Sequence, residues 1–211
     1  MPHPTEDDHY VVRRDARRRK ITQRLLPTVE ELLQRGDGFR AITVEQILLA
    51  SGLSRTTFYR YFTDKTDLLI ALAEPILEIT LEGAVRPFEQ TGAVTIGDLE
   101  REVGKTMSLY LHHVWLLRTM VEVATYDSRV RTQFRGVFDV VHQHLARRFE
   151  EGQRAGFVRP DILPWETAGW ITWMGERGMS QLAATANDEE RQRLSQSLAR
   201  LVWHGVYNAG E

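Results

Sequence analysis

Apolar positions recur at three- and four-residue intervals along nearly the whole chain, and no stretch alternates apolar with polar residues as a half-buried strand would. The pattern predicts an all-α protein. A first helix over about residues 21–34 carries Leu25, Val29, Leu32 and Leu33 on one face. Pro27 interrupts it, either as a first-turn residue of a later start or as a kink, and Gly36 and Gly38 close the segment. Thr43 and Gln46 have the spacing of a capping box; Ile47, Leu48 and Ala50 then form the apolar side of a second short helix, and Gly52 can end it in the left-handed region. Ser54 is the cap candidate for a third helix whose inner face is anchored by Phe58 and Phe62, four residues apart. Residues 43–65 thus read as two short helices joined by a tight turn.

A fourth helix follows Thr63 or Asp64, with Leu68, Leu69 and Leu72 facing inward, and Pro75 limits or bends it. Helices are next expected over about residues 76–88, from Thr95 or Asp98 through Leu111, and over 115–124, with residues 91–98 as a loop. A long helix over about 128–154 aligns Val130, Phe134, Phe138, Val141, Leu145 and Phe149 and ends at Gly156. Pro164 opens a helix to about residue 184, with a small-residue face through Ala168, Thr172 and Gly175. A last helix, capped by Asn187 or Asp188, carries Leu194, Leu198, Leu201, Val202 and Val206.

Charge sharpens this division. The net charge is −2, but residues 10–65 hold 12 Lys and Arg against 6 Asp and Glu, so the basic charge sits with the helix-turn-helix. The run RRDARRRK (13–20) reads as an arm that tracks phosphates, and the acidic, proline-containing residues 1–12 as disordered. With no cysteine, thiolate chemistry is excluded, and a reducing, cytoplasmic location is expected. No apolar run approaches the roughly 18 residues a membrane span needs. All five tryptophans follow residue 110, where an aromatic-lined core, cavity or interface could form. The expected domains are a head and arm (1–20), a DNA-binding domain (21–72) and a larger helical domain (73–211).

The runs TVEQILLASGL and SRTTFYRYFTDKTDLL closely resemble the DNA-binding domain of TetR-family transcriptional regulators; generic helix-turn-helix proteins lack the FYRYF-x-x-K corner. MGERGMS (174–180) and LVWHGVYN (201–208) are similar to the last helices of the ethionamide-regulator-like subgroup. The resemblance implies an all-helical homodimer that binds a palindromic operator, as a repressor, and is released by a small apolar effector enclosed in its carboxy-terminal domain.

On that reading Arg55 can pair bidentately with guanine in the major groove, Thr56 and Thr57 can meet a thymine methyl or a phosphate, and Tyr59, Arg60 and Tyr61 suit phosphate or base edges. Thr43, Ser54 and Lys65 sit at helix starts that can meet phosphate. Tyr110, Phe134, Phe138, Thr172, Trp173, Gly175 and Trp203 are the effector-site candidates; Leu194, Leu198, Leu201 and Val202 belong either to the core or to the dimer seam. An enzyme is the contrasting reading. His112-His113 and His142-x-His144 lack the i, i+4 spacing of paired metal ligands, and no phosphate loop, nucleophile elbow or dinucleotide fingerprint occurs. Neither metal nor cofactor is expected. A DNA-binding dimer that is ligand-independent or controlled by a protein partner is the remaining alternative.

Overall fold

A computed structural model describes residues 6–36, 38–88 and 95–207, with the backbone alone for 6–12. Ten α-helices account for most of it: α1 (Glu6–Gln34), α2 (Gly38–Ala41), α3 (Val44–Ser51), α4 (Arg55–Tyr61), α5 (Lys65–Val85), α6 (Ile96–His112), α7 (Val114–Ala124), α8 (Ser128–Ala155), α9 (Pro164–Arg177) and α10 (Asp188–Val206). A 3₁₀ turn, Arg86–Phe88, extends α5, and a π-helical segment, Gly178–Ala183, extends α9. Among the described residues no strand forms; a single antiparallel bridge joins Val158 to Tyr207.

The cap signals act as their spacings require. Gln46 N donates to Thr43 Oγ1 at 3.1 Å while Thr43 N donates to Gln46 Oε1 at 2.7 Å, and Gly52 ends α3 at φ +68°. Ser54 caps α4, Asp64 caps α5, Thr95 and Asp98 form a capping box for α6, and Asn187 with Glu190 forms one for α10. Each such cap contributes about 1 kcal/mol.

Four expectations are corrected. The backbone is helical from Glu6, so the basic run belongs to α1; residues 1–5 of the expected disordered head lie outside the described residues. Pro27 neither begins nor ends α1, and Pro75 does not divide α5. Both prolines are exposed; each leaves the carbonyl four residues earlier, on Gln23 and Ala71, without its helical donor. Ala50 is exposed; Ile47 is the buried residue of α3, with Leu48 half-buried. Of the expected 91–98 loop, residues 91–94 lie outside the described residues, and Ile96 is already helical.

Two clusters make the core. In one, Leu25, Val29, Leu32, Leu33, Ile47, Phe58, Phe62 and Leu68 join the helix-turn-helix to Leu116, Leu117, Met120, Val130 and Phe134 of α7 and α8. In the other, Leu99, Val141, Leu145, Phe149, Ala199, Val202 and Val206 hold α6, α8 and α10 together. The amino-terminal helices thus share a core with the rest of the chain, and α5 runs unbroken across the expected boundary at residue 72.

Candidate DNA-reading surface and interior cavity

The outward face of α4 is set by its inward one. Phe58 and Phe62 are fully buried, their rings 5.4 Å apart, which turns Arg55, Thr56, Tyr59 and Arg60 to solvent on one side of the helix. Thr57 and Tyr61 are half-buried, and Thr57 is engaged with its cap: Ser54 Oγ accepts from Thr57 N at 3.1 Å and lies 2.8 Å from Thr57 Oγ1. Arg55 donates to Glu45 of α3 at 2.8 Å, both side chains being about two-thirds exposed. Thr43, at the start of α3, is exposed.

Lys65 does something its sequence position does not announce. Its ammonium turns back to donate to the carbonyls of Phe39 (2.8 Å), Arg40 (3.0 Å) and Ile42 (2.6 Å), and burial lowers its pKa. It closes the carboxy-terminal end of the four-residue helix α2, leaving its backbone N–H as the group that can face phosphate. Within the basic run the residues also divide. Arg18 donates to Asp67 at 2.5 Å and stacks over Phe62, its carbon 5.4 Å from the ring centre, whereas Arg13, Arg14, Arg17 and Arg19 are exposed. Arg13, Arg14 and Arg17 face Arg60 and Tyr61 across a shallow notch between α1 and α4. The basic run is therefore a helical extension of α1 that lies beside α4.

In the larger domain an apolar cavity of about 120 Å³ lies between α5, α6, α8, α9 and α10. It is close in size to cavities that hold a benzene ring, at ~150 Å³. Of the effector-site candidates, Tyr110, Phe134, Phe138, Thr172 and Gly175 line it. A Cβ on Gly175 would meet nothing within 4 Å, so this glycine leaves open space rather than allowing a close helix approach. Trp173 and Trp203 do not line it. Trp173 stacks on the outer side of Phe138, ring centres 5.1 Å apart, and Trp203 stacks on Tyr207 at 5.1 Å. Sequence spacing missed Glu176, a carboxylate on the cavity wall whose side chain is 2% exposed. Burial, and next the Glu176 charge, raise the pKa of Tyr110 well above the ordinary phenol value.

The four α10 candidates split. Val202 is buried and Leu198 half-buried, and both line the cavity, while Leu201 is exposed and Leu194 half-buried on the outer side. The outer side of α9 carries Trp170, 77% exposed, with Trp173 and Met174, and Leu182 of the π segment is also exposed.

A capped helix-turn-helix with a polar, basic outer face, fused through a common core to a cavity-bearing helical domain, defines the class of helical DNA-binding regulators. Residues 30–72 match the family of bacterial regulatory proteins described as the tetR family. Residues 30–72 thus carry a DNA-binding domain of the tetR-family type, and the chain as a whole has the fold of TetR-family regulators. The nucleoid occlusion factor SlmA of Actinobacillus pleuropneumoniae is 39% identical over 77 residues, 35% of this chain. The chain spans 38% of the length of that curated relative. Among solved structures, a TetR-family regulator from Mesorhizobium loti superposes with a TM-score of 0.66 at 17% identity, covering 92% of this chain and 98% of its own. A transcriptional regulator from Saccharomonospora viridis, in complex with choline, gives 0.68 at 17%, covering 90% and 98%. At such identities the likeness speaks for the fold. These matches give the ethionamide-regulator-like subgroup no support. No helix among the described residues is long and apolar enough to cross a membrane.

Proposed function

We propose that the chain acts as a homodimeric repressor that reads an inverted repeat in DNA and lets go when a small molecule with an apolar body fills the cavity. The observation that carries this reading is the continuity of α5. Its start holds the reader: Asp64 caps it, Lys65 ties down α2, and Asp67 receives Arg18. Further along the same helix, Leu77, Thr80, Leu81 and Ala84 line the cavity. About 18 Å separates Lys65 from Leu77 along one continuous helix that contains Pro75. A ligand that displaces the cavity wall therefore moves the reader's base.

Side-chain links run in parallel. His113 Nδ1 lies 2.8 Å from Glu30 of α1, Arg129 of α8 donates to Asp64 at 3.0 Å, and Arg40 sits over the Tyr126 ring at 4.1 Å. Operator affinity then falls by the ligand's differential affinity for the DNA-competent and DNA-incompetent conformations. Two copies are needed because α4 spans few base pairs, and the outer apolar side chains of α9 and α10 suit a four-helix seam between copies. The choline held by the Saccharomonospora viridis protein supports a small-molecule role for this kind of domain. A purely DNA-binding or partner-controlled dimer is the reading a cavity-free domain would have favoured. Cytoplasmic location follows from access to chromosomal DNA.

The test uses an operator recovered from host DNA fragments and compounds selected by thermal shift. Each cavity-binding compound should weaken operator binding at least tenfold by fluorescence anisotropy in the wild type and leave Gly175→Leu unaffected, since the added side chain fills the open space. Compounds that occupy the cavity without changing operator affinity contradict the coupling.

A further inference from the structure

The polar groups of the cavity wall are not equally satisfied. Thr80 Oγ1 donates to Ile76 O at 2.7 Å, Thr172 Oγ1 to Ala168 O at 2.8 Å, and Thr106 Oγ1 to Gly83 O at 2.8 Å, so these hydroxyls are spent on backbone. Both carboxylate oxygens of Glu176 are buried without a hydrogen-bond partner, and the Tyr110 hydroxyl is buried with Ser180 as its nearest polar side chain. Arg177 Nε stands 3.4 Å from Glu176 Oε2, outside hydrogen-bonding geometry, on a side chain 60% exposed to solvent. It tempers the carboxylate's charge from the outside and leaves its hydrogen-bonding capacity unused.

A buried carboxylate with no donor is costly, and a carboxylate can only accept. Its complement is a cation that brings donors. The rings of Tyr110, Phe134 and Phe138 on the same wall present electron-rich faces that also favour a cation, and the remaining lining is aliphatic. Resting on the effector-cavity reading above, we propose that the cavity selects a small organic ammonium: a protonated amine at Glu176 and Tyr110, with a short hydrocarbon body against Leu77, Leu81 and Val141. This departs from a purely apolar effector, and the arrangement excludes carboxylates, which would stand against Glu176.

Three probes with one hydrocarbon body separate charge from size: hexylammonium, 1-hexanol and hexanoate, titrated calorimetrically into the full chain at pH 7. The expected order is hexylammonium at least tenfold tighter than hexanol, with hexanoate weakest. Glu176→Gln, nearly isosteric, should reduce the amine preference to under twofold, and Tyr110→Phe should weaken hexylammonium severalfold while leaving hexanol unchanged. Hexanol binding as tightly as hexylammonium to the wild type, or an amine preference that survives in Glu176→Gln, overturns the charge assignment and leaves the cavity's ligand role standing. No binding by any of the three overturns both.

Discussion

Arg55 is held in reserve rather than free. Its ion pair with Glu45 is exposed, and pairs of that kind contribute about 0–1 kcal/mol, less than the ~1–3 kcal/mol of discrimination from a bidentate arginine–guanine contact. Exchange of Glu45 for a base edge is therefore downhill at a matching site and close to neutral elsewhere. Arg55→Ala should cost about 1–3 kcal/mol of discrimination at one position of each half-site, read by titrating single-base variants of the operator; an unaltered preference removes Arg55 from readout. Lys65 makes the opposite case. Lys65→Met removes three donors from the end of α2, with an expected loss of about 2–3 kcal/mol in denaturant unfolding, while the salt dependence of DNA binding stays unchanged because the ammonium faces inward. A flatter salt slope in that variant would mean that the ammonium swings out to phosphate.

Elements were more legible than what surrounds them. Capping boxes, the Gly52 stop and the Phe58–Phe62 anchor depend on residues three or four apart, and each is found where the spacing put it. Pro27 and Pro75 lie inside α1 and α5 and are exposed, and a sequence does not say which side of a helix faces water. The basic run misled for a similar reason: the acid that fixes Arg18, Asp67, is 49 residues away. Helical spacing likewise reports a face and not what the face meets. The resemblance put Phe134 and Phe138 among the effector-site candidates, and both line the cavity, but it did not separate Trp173 and Trp203, which stack outside it, nor pick out Glu176. For α1 as built, the triple variant Arg13→Ala, Arg14→Ala, Arg17→Ala should weaken DNA binding and lower the salt slope by up to about 3. Arg18→Ala should instead lower stability. Equal slopes in all three proteins would mark the exposed arginines as solvated charge.

For the whole molecule the split of α10 decides which leucine tests the dimer. Leu198 and Val202 belong to the cavity wall, so a polar group at Leu198 perturbs the interior, whereas Leu201 is 60% exposed on the outer side of α10. Leu201→Glu should convert dimer to monomer in sedimentation velocity with little change in helix content, and an unchanged sedimentation coefficient would place the seam elsewhere. In the proposed dimer, two inverted half-sites would multiply the discrimination available to one seven-residue helix.

The most direct check is selection of bound duplexes from a random-sequence pool by the full chain, followed by sequencing. An inverted repeat should emerge, bound by two chains per duplex, with one position in each half-site relaxed when Arg55→Ala is used instead. Recovery of unenriched sequence, or of a single unrepeated site bound by one chain, would contradict the account.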